Sequence, residues 1–304
     1  MKRIAAAVVV AACHASPAPP VPPVPPATCS AAVLPQLAAQ HTPNRSKLYV
    51  APLDGTRVGA PVLVTDKTGY VNQPAFTPDG NGLYFTWRPD GGQADLWLHD
   101  LRDRSERAVT CTATEEYVAG PLPDGRLTAI RVEADLTKHL VMLAPREQLL
   151  FPAVTDLGAY RWVDDHTVAL MTAGADGATA LAVGDLTTGA VTPIAEHVGG
   201  ALAVIPGQRA ISYVDTSGEH MVLRRADLAT HATSELLALP DGTDTVAWLD
   251  DGSALAGSGT KLVRATKGGP WQEVADLAGA LAGPITRVVV SADHRRLAIV
   301  VHVD

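Results

Sequence analysis

The sequence predicts an all-β fold, a six-bladed β-propeller of four-stranded antiparallel blades whose last blade is closed by strands from the two ends of the chain. Three observations predict it. A strand–turn–strand pattern recurs six times, with steps of 45, 41, 42, 44 and 42 residues between its turns, the spacing of four-stranded blades. Apolar and polar residues alternate with period two on both sides of each turn, as half-buried antiparallel strands require. The last copy and an outer hairpin that precedes the first (47–65) are complementary halves of one blade.

Composition bounds the rest. Of 304 residues, 47% are hydrophobic and 18% charged, which excludes a disordered tail and a polytopic membrane protein. The formal charge of -8 argues against a phosphate-backbone partner, so nucleic acid is not expected.

Residues 1–12 read as a signal peptide. Met1-Lys2-Arg3 is a positive start, and Ile4 to Ala12 is an apolar run too short to span a bilayer. The run ends in Val10-Ala11-Ala12-Cys13, which resembles the lipobox of bacterial lipoproteins and implies lipidation of Cys13; an ordinary secretory signal is the alternative. Residues 13–28 follow as a spacer. Between Ala15 and Ala27 proline recurs so densely that neither helix nor sheet ladder can form. As polyproline, at about 3.1 Å per residue, the stretch spans roughly 40 Å.

Residues 29–46 form an N-terminal extension. Ser30 to Gln40 (SAAVLPQLAAQ) is compatible with a short helix around Pro35 or with an irregular segment. With Cys13 assigned to lipid, Cys29 and Cys111 remain to pair in an oxidising compartment, two separate thiols being the alternative.

Residues 47–304 are the propeller. The six inner hairpins are AFTPDGNGLYF (75–85), GPLPDGRLTAI (120–130), YRWVDDHTVALM (160–171), AVIPGQRAISYV (203–214), VAWLDDGSALAG (246–257) and VVVSADHRRLAIVV (288–301). Their turns align Asp79, Asp124, Asp165, Gly207, Asp251 and Asp293, residues that tolerate positive φ or bond their own backbone in tight hairpins. Outer hairpins follow at 94–110, 179–195, 220–237 and 261–277. The sixth copy stops after its inner hairpin, while the propeller begins with an outer one, KLYVAPLDGTRVGAPVLVT (47–65). Joining the two closes the ring, leaves no open sheet edge and predicts a monomer.

The stretch PAFTPDGNGLYFTWRPDGGQADLWLHDL (74–101) resembles the repeat of TolB-like propellers: an aromatic-x-Pro-Asp-Gly turn, a second-strand Phe, an Arg-x-x-Gly link and an outer Asp-Leu-Trp-Leu strand. The other five copies keep the spacing with degenerate sequence. The additional α/β domain of TolB itself has no counterpart here. The resemblance implies a periplasmic, non-catalytic propeller that binds another envelope protein at its channel mouth, and with the lipobox it implies anchoring, at the outer membrane, through Cys13.

Catalytic signals are sparse. The chain has no G-x-S-x-G elbow, P-loop or dinucleotide fingerprint, so no catalytic residue and no cofactor is assigned. The ten histidines show no pair at metal-ligand spacing, so no metal site is assigned either. Asp164-Asp165-His166 lies in an inner hairpin turn and reads as turn chemistry. Ligands are expected where the loops leading into the innermost strands converge, which selects Tyr70, Asn72, Glu116, Tyr117, Tyr160, Arg161, His197, Asp244 and Arg287 as partner-binding candidates. Two alternatives remain: a gluconolactonase-like, calcium-dependent hydrolase, since fold alone does not fix function, and a glycan or peptidoglycan binder using Trp87, Trp97 or Trp271.

Overall fold

A computed structural model describes residues 34–38, 44–173 and 178–304. Cys13, Cys29 and the segments expected to be a signal peptide and a spacer lie outside them. The described chain is six antiparallel sheets arranged as blades around a channel. Blade 1 runs from its inner strand Tyr70–Phe76 through Gly82–Arg88 and Asp95–Asp100 to Glu106–Ala108. The next four blades repeat that order, with inner strands Glu115–Pro121, Leu157–Trp162, Val198–Val204 and Val246–Trp248.

Blade 6 is shared as expected. Its inner pair, Ile285–Val290 and Arg296–Val303, is completed by Arg45–Asp54 from the other end of the sequence, in a register running from Arg45 opposite Val303 to Pro52 opposite Arg296. The short strand Val62–Leu63 pairs on its outer side. The closing strand thus begins at Arg45. Among the described residues no helix is long and apolar enough to cross a membrane.

The core is a wheel of six apolar clusters, one per seam between blades. The seam of blades 6 and 1 holds Leu48, Val71, Phe76, Leu83, Phe85 and Val300; that of blades 1 and 2 holds Ala75, Leu96, Ala119, Leu127, Ala129 and Val141. The others join 2 to 3, 3 to 4, 4 to 5 and 5 to 6. Each sheet is therefore buried on both faces. That is why the second strands read as unbroken apolar runs, such as Leu297 to Val301 with every residue fully buried, where a sheet with one wet face would alternate.

Several polar groups in the seams are paired. The Tyr160 hydroxyl donates to the Val118 carbonyl at 2.9 Å and lies 3.0 Å from Thr128 Oγ1, which also receives the Trp162 indole N–H at 2.9 Å. Blades 4 and 5 repeat the device, with Trp248 Nε1 donating to Ser212 Oγ at 2.8 Å. Gly120 makes room for it, since a Cβ there would stand 2.5 Å from the Tyr160 hydroxyl.

The turns at the far end from the mouth follow the turn chemistry. Asp79, Asp124, Asp251 and Asp293 each accept the backbone N–H two residues on, and Gly207 sits at φ +70°. Blade 3 differs by one position. Asp164, not the aligned Asp165, caps the turn by accepting from His166 N and Thr167 N, although the hairpin closes from Val163 to Thr167 with the same spacing as in blades 2 and 5. Blade 2 has an outer pair, Lys138–Ala144 with Gln148–Leu150, where the sequence pattern showed none.

Candidate functional site

All six inner strands start at the same end of the channel, so their first residues form its mouth. There the strands carry β-bulges: the register slips between Asn72 and Ala75, Tyr117 and Gly120, and Gly199 and Ala203. Gln73, Val118 and Gly200 take positive φ at these slips, which bends the strand and re-aims the neighbouring side chains.

A cavity of about 220 Å³ opens at the mouth between blades 1 and 2. Tyr70 and Tyr117 form its aromatic walls, and Gln73, Thr86 and Ala94 its smaller surfaces. Arg88 stacks over the Tyr70 ring, 5.4 Å from its centroid, within the range of a cation–π contact. Lys138 stands at the rim and is paired with Asp156 at 2.9 Å.

Leu37 also lines this cavity. The extension forms a single helical turn, Pro35–Ala38, with proline at the first helical position, where its missing N–H costs nothing. Leu37 is 1% exposed, and Gln36 Nε2 donates to the Ala134 carbonyl of blade 2 at 3.5 Å. The chain's own N-terminal segment therefore seats an apolar side chain in the mouth.

Behind the cavity wall lies a group of carboxylates. Glu115 accepts the Ala94 N–H at 3.2 Å, and burial raises its pKa against the opposing pull of Arg88. Glu116 is fully buried, accepts from the Thr112 and Thr114 hydroxyls, and pairs with Arg131 at 2.8 Å. Arg131 in turn bridges to Glu147 at 2.8 Å. Asp95 is pushed up to about 7, first by burial and then by the Glu116 charge. Beside it the Oε1 atom of Gln93 is buried without a hydrogen-bond partner.

Seven of the nine candidates reach the mouth or the lumen. Tyr70 and Tyr117 line the cavity, and burial raises the pKa of both phenols. Asn72 Oδ1 accepts from Arg287 Nε at 3.1 Å, bridging blades 1 and 6. Arg161 is exposed on the inner strand of blade 3, and His197 and Asp244 are exposed at the starts of blades 4 and 5. Glu116 and Tyr160 are instead buried in seams and committed to internal bonds. Gln73, Thr86, Arg88, Ala94, Glu115, Val132, Lys138 and Leu37 complete the cavity and are not among the nine candidates. Arg88 lies in the Arg-x-x-Gly link and Glu115 beside Glu116; the others carry no sequence signal.

The three tryptophans are engaged within the fold. Trp87 and Trp97 meet edge to face at 5.4 Å, with Lys67 Nζ 3.8 Å from the Trp97 centroid and 3.3 Å from Glu106. Trp271 donates its N–H to the Ala238 carbonyl. Cys111 is half-buried and has no disulfide partner among the described residues. Nor do the described residues bring together three His, Cys, Asp or Glu side chains as a metal site.

No protein-family model matches the sequence, and no curated protein matches it. Solved structures do. The putative TolB from Agrobacterium tumefaciens is similar at 14% identity with a TM-score of 0.63, over 86% of this chain and 100% of that one. TolB from Acinetobacter baumannii is similar at 12% identity and a TM-score of 0.55, over 83% of this chain and 63% of that one, so the chain spans less than two thirds of that protein. A gluconolactonase from Xanthomonas campestris, XC5397, is similar at 13% identity and a TM-score of 0.59, covering 87% and 96%. At these identities the likeness is one of fold, the six-bladed propeller that the blades and their shared closure define here.

Proposed function

We propose that the protein is a lipoprotein of the cell envelope whose propeller mouth binds a peptide segment of an envelope partner, without catalysis. The observation that carries this reading is Leu37. A cavity walled by two tyrosines accepts an apolar side chain from a short peptide turn, the kind of anchor-in-pocket contact that dominates protein recognition. The fold likeness to two TolB structures supports the same reading. In it, Cys13 carries the lipid at the outer membrane, residues 13–28 hold the propeller off the surface, and the propeller works as a monomer. Cys111 sits on the connection between blades 1 and 2, the seam that receives Leu37. That placement supports its pairing with Cys29.

The gluconolactonase-like alternative calls for oxygen ligands to calcium converging from several inner strands. At this mouth the Asn72 amide oxygen is taken by Arg287, and the inner-strand carboxylates Glu115 and Glu116 are engaged with the Ala94 N–H and Arg131.

The test is photo-crosslinking in cells from Tyr117, compared with Asp103 at the opposite end of the propeller, using the full-length protein and a Cys13→Ala form. Reproducible crosslinks to one envelope protein from Tyr117 alone, strengthened by Leu37→Ala, are expected. Equal crosslinking from both positions, or none with correct localisation, would overturn the reading; stoichiometric calcium in the purified protein would favour the hydrolase.

A further inference from the structure

Below the mouth the channel holds a positive charge that no group among the described residues answers. In the inner strand of blade 3, Tyr160 and Trp162 turn together into the seam with blade 2, where both reach Thr128. Arg161 lies between them and so points to the other side of the strand. Solvent reaches the Arg161 side chain, yet desolvation lowers its pKa below the ordinary arginine value. Both hold together for a side chain inside a narrow channel. Among the described residues its guanidinium makes no hydrogen bond and no ion pair.

Other lumen charges do not compensate it. Blade 6 stands opposite blade 3 in the ring, and its inner strand carries Arg287, tied among the described residues through Nε to Asn72. Of the inner-strand carboxylates, Glu115 is engaged with Ala94 N and Glu116 with Arg131, both inside the seam of blades 1 and 2. Asp244 stands exposed at the mouth of blade 5. A chain of net charge -8 therefore carries two arginines in its channel.

A guanidinium with five N–H donors and no acceptor among the described residues is ready for a planar oxyanion. We propose that the lumen is a binding site for a ligand bearing a carboxylate or phosphate group, with Arg161 as the primary anchor and Arg287 as the second. The proposal stands independently of the peptide reading of the mouth.

The test uses the purified mature protein in buffer free of phosphate and carboxylates, titrated at constant ionic strength with inorganic phosphate in one arm and succinate in the other. Calorimetry and thermal melting read the result. Saturable binding of at least one anion is expected, weakened by about tenfold or more in Arg161→Met, as loss of a bidentate charged pair implies, and less in Arg161→Lys. The stronger of the two anions assigns the ligand class. A surface control, Arg146→Met, should bind as the wild type does. Without anion, Arg161→Met should melt at or above the wild-type temperature, because an uncompensated charge has been removed. Undiminished binding in Arg161→Met, or no saturable binding of either anion, would overturn the proposal. So would an anion-free melting temperature that falls while affinity is kept, which would make Arg161 a packing residue.

Discussion

Replacing Asp95 by asparagine should stabilise the protein at pH 8 and change little at pH 4. The carboxyl begins the third strand of blade 1, accepts from Thr110 Oγ1 at 3.2 Å, and lies close to Glu116 and Glu115. Burial, then Glu116, raises its pKa from 3.8 to about 7. The folded state thus binds the proton more tightly than the unfolded chain does. Stability contributed by this group is full below about pH 4, falls as pH rises towards 7, and is level above that. A tenfold difference in proton affinity is ~1.4 kcal/mol, so the whole difference is ~4 kcal/mol. Asp95 is only half-buried, and water and side-chain relaxation reduce that to ~1–2 kcal/mol. Asparagine keeps an acceptor for Thr110 and removes the charge. Urea unfolding, followed by tryptophan fluorescence from about pH 4 to 8, should show a variant advantage growing by ~1–2 kcal/mol across that window. A difference that ignores pH, or a variant less stable at pH 8, would refute the reasoning.

Other changes test the architecture. Gly200→Ala should cost about 3 kcal/mol or more, because residue 200 sits at φ +67° and its new Cβ would collide with the Asp244 carbonyl oxygen; thermal melting near the wild-type value would contradict the close approach of blades 4 and 5. Tyr160→Phe removes the hydroxyl bonded to Val118 O and Thr128 and should cost ~1–2 kcal/mol in denaturant unfolding. Val50→Pro interrupts the closing strand between Ala298 and Val62, where proline supplies no ladder donor. Hydrogen exchange should then speed up across Arg296–Val303; protection equal to wild type would mean that closure does not depend on this strand.

The propeller was legible because its signals are local and repeated: six turns at near-constant spacing, and two half-blades that only a ring can reconcile. Where the pattern failed, local chemistry was ambiguous. The outer pair of blade 2 turns through Pro145-Arg146-Glu147 without the Asp-Leu turn of blades 1, 3 and 4. In blade 3 two adjacent aspartates offer themselves for one capping role, and it is Asp164, one position before the aligned Asp165, that accepts the turn's N–H groups. The mouth was half legible. Position before an inner strand found Tyr70, Tyr117 and Arg287, but the same rule took in Glu116 and Tyr160, whose side chains turn into seams. A one-residue change of direction along a strand separates the two outcomes, and in the bulged inner strands simple alternation does not predict it. Leu37 reaches blades 1 and 2 by a tertiary contact that no local pattern encodes.

The shared blade also sets an order of events. The strand Arg45–Asp54 pairs along its length with Arg296–Val303, and all of blades 1 to 5 are made between them. During synthesis this strand exists first and its partner much later, so its apolar residues, Leu48, Ala51 and Leu53 among them, wait exposed while the other seams fill. Such long-range pairing is slow to form. The ring is completed by one late step that buries two seams together, those of blades 5 and 6 and of blades 6 and 1. Loss of even a few residues from Arg296–Val303 would therefore injure the whole wheel rather than a single spoke.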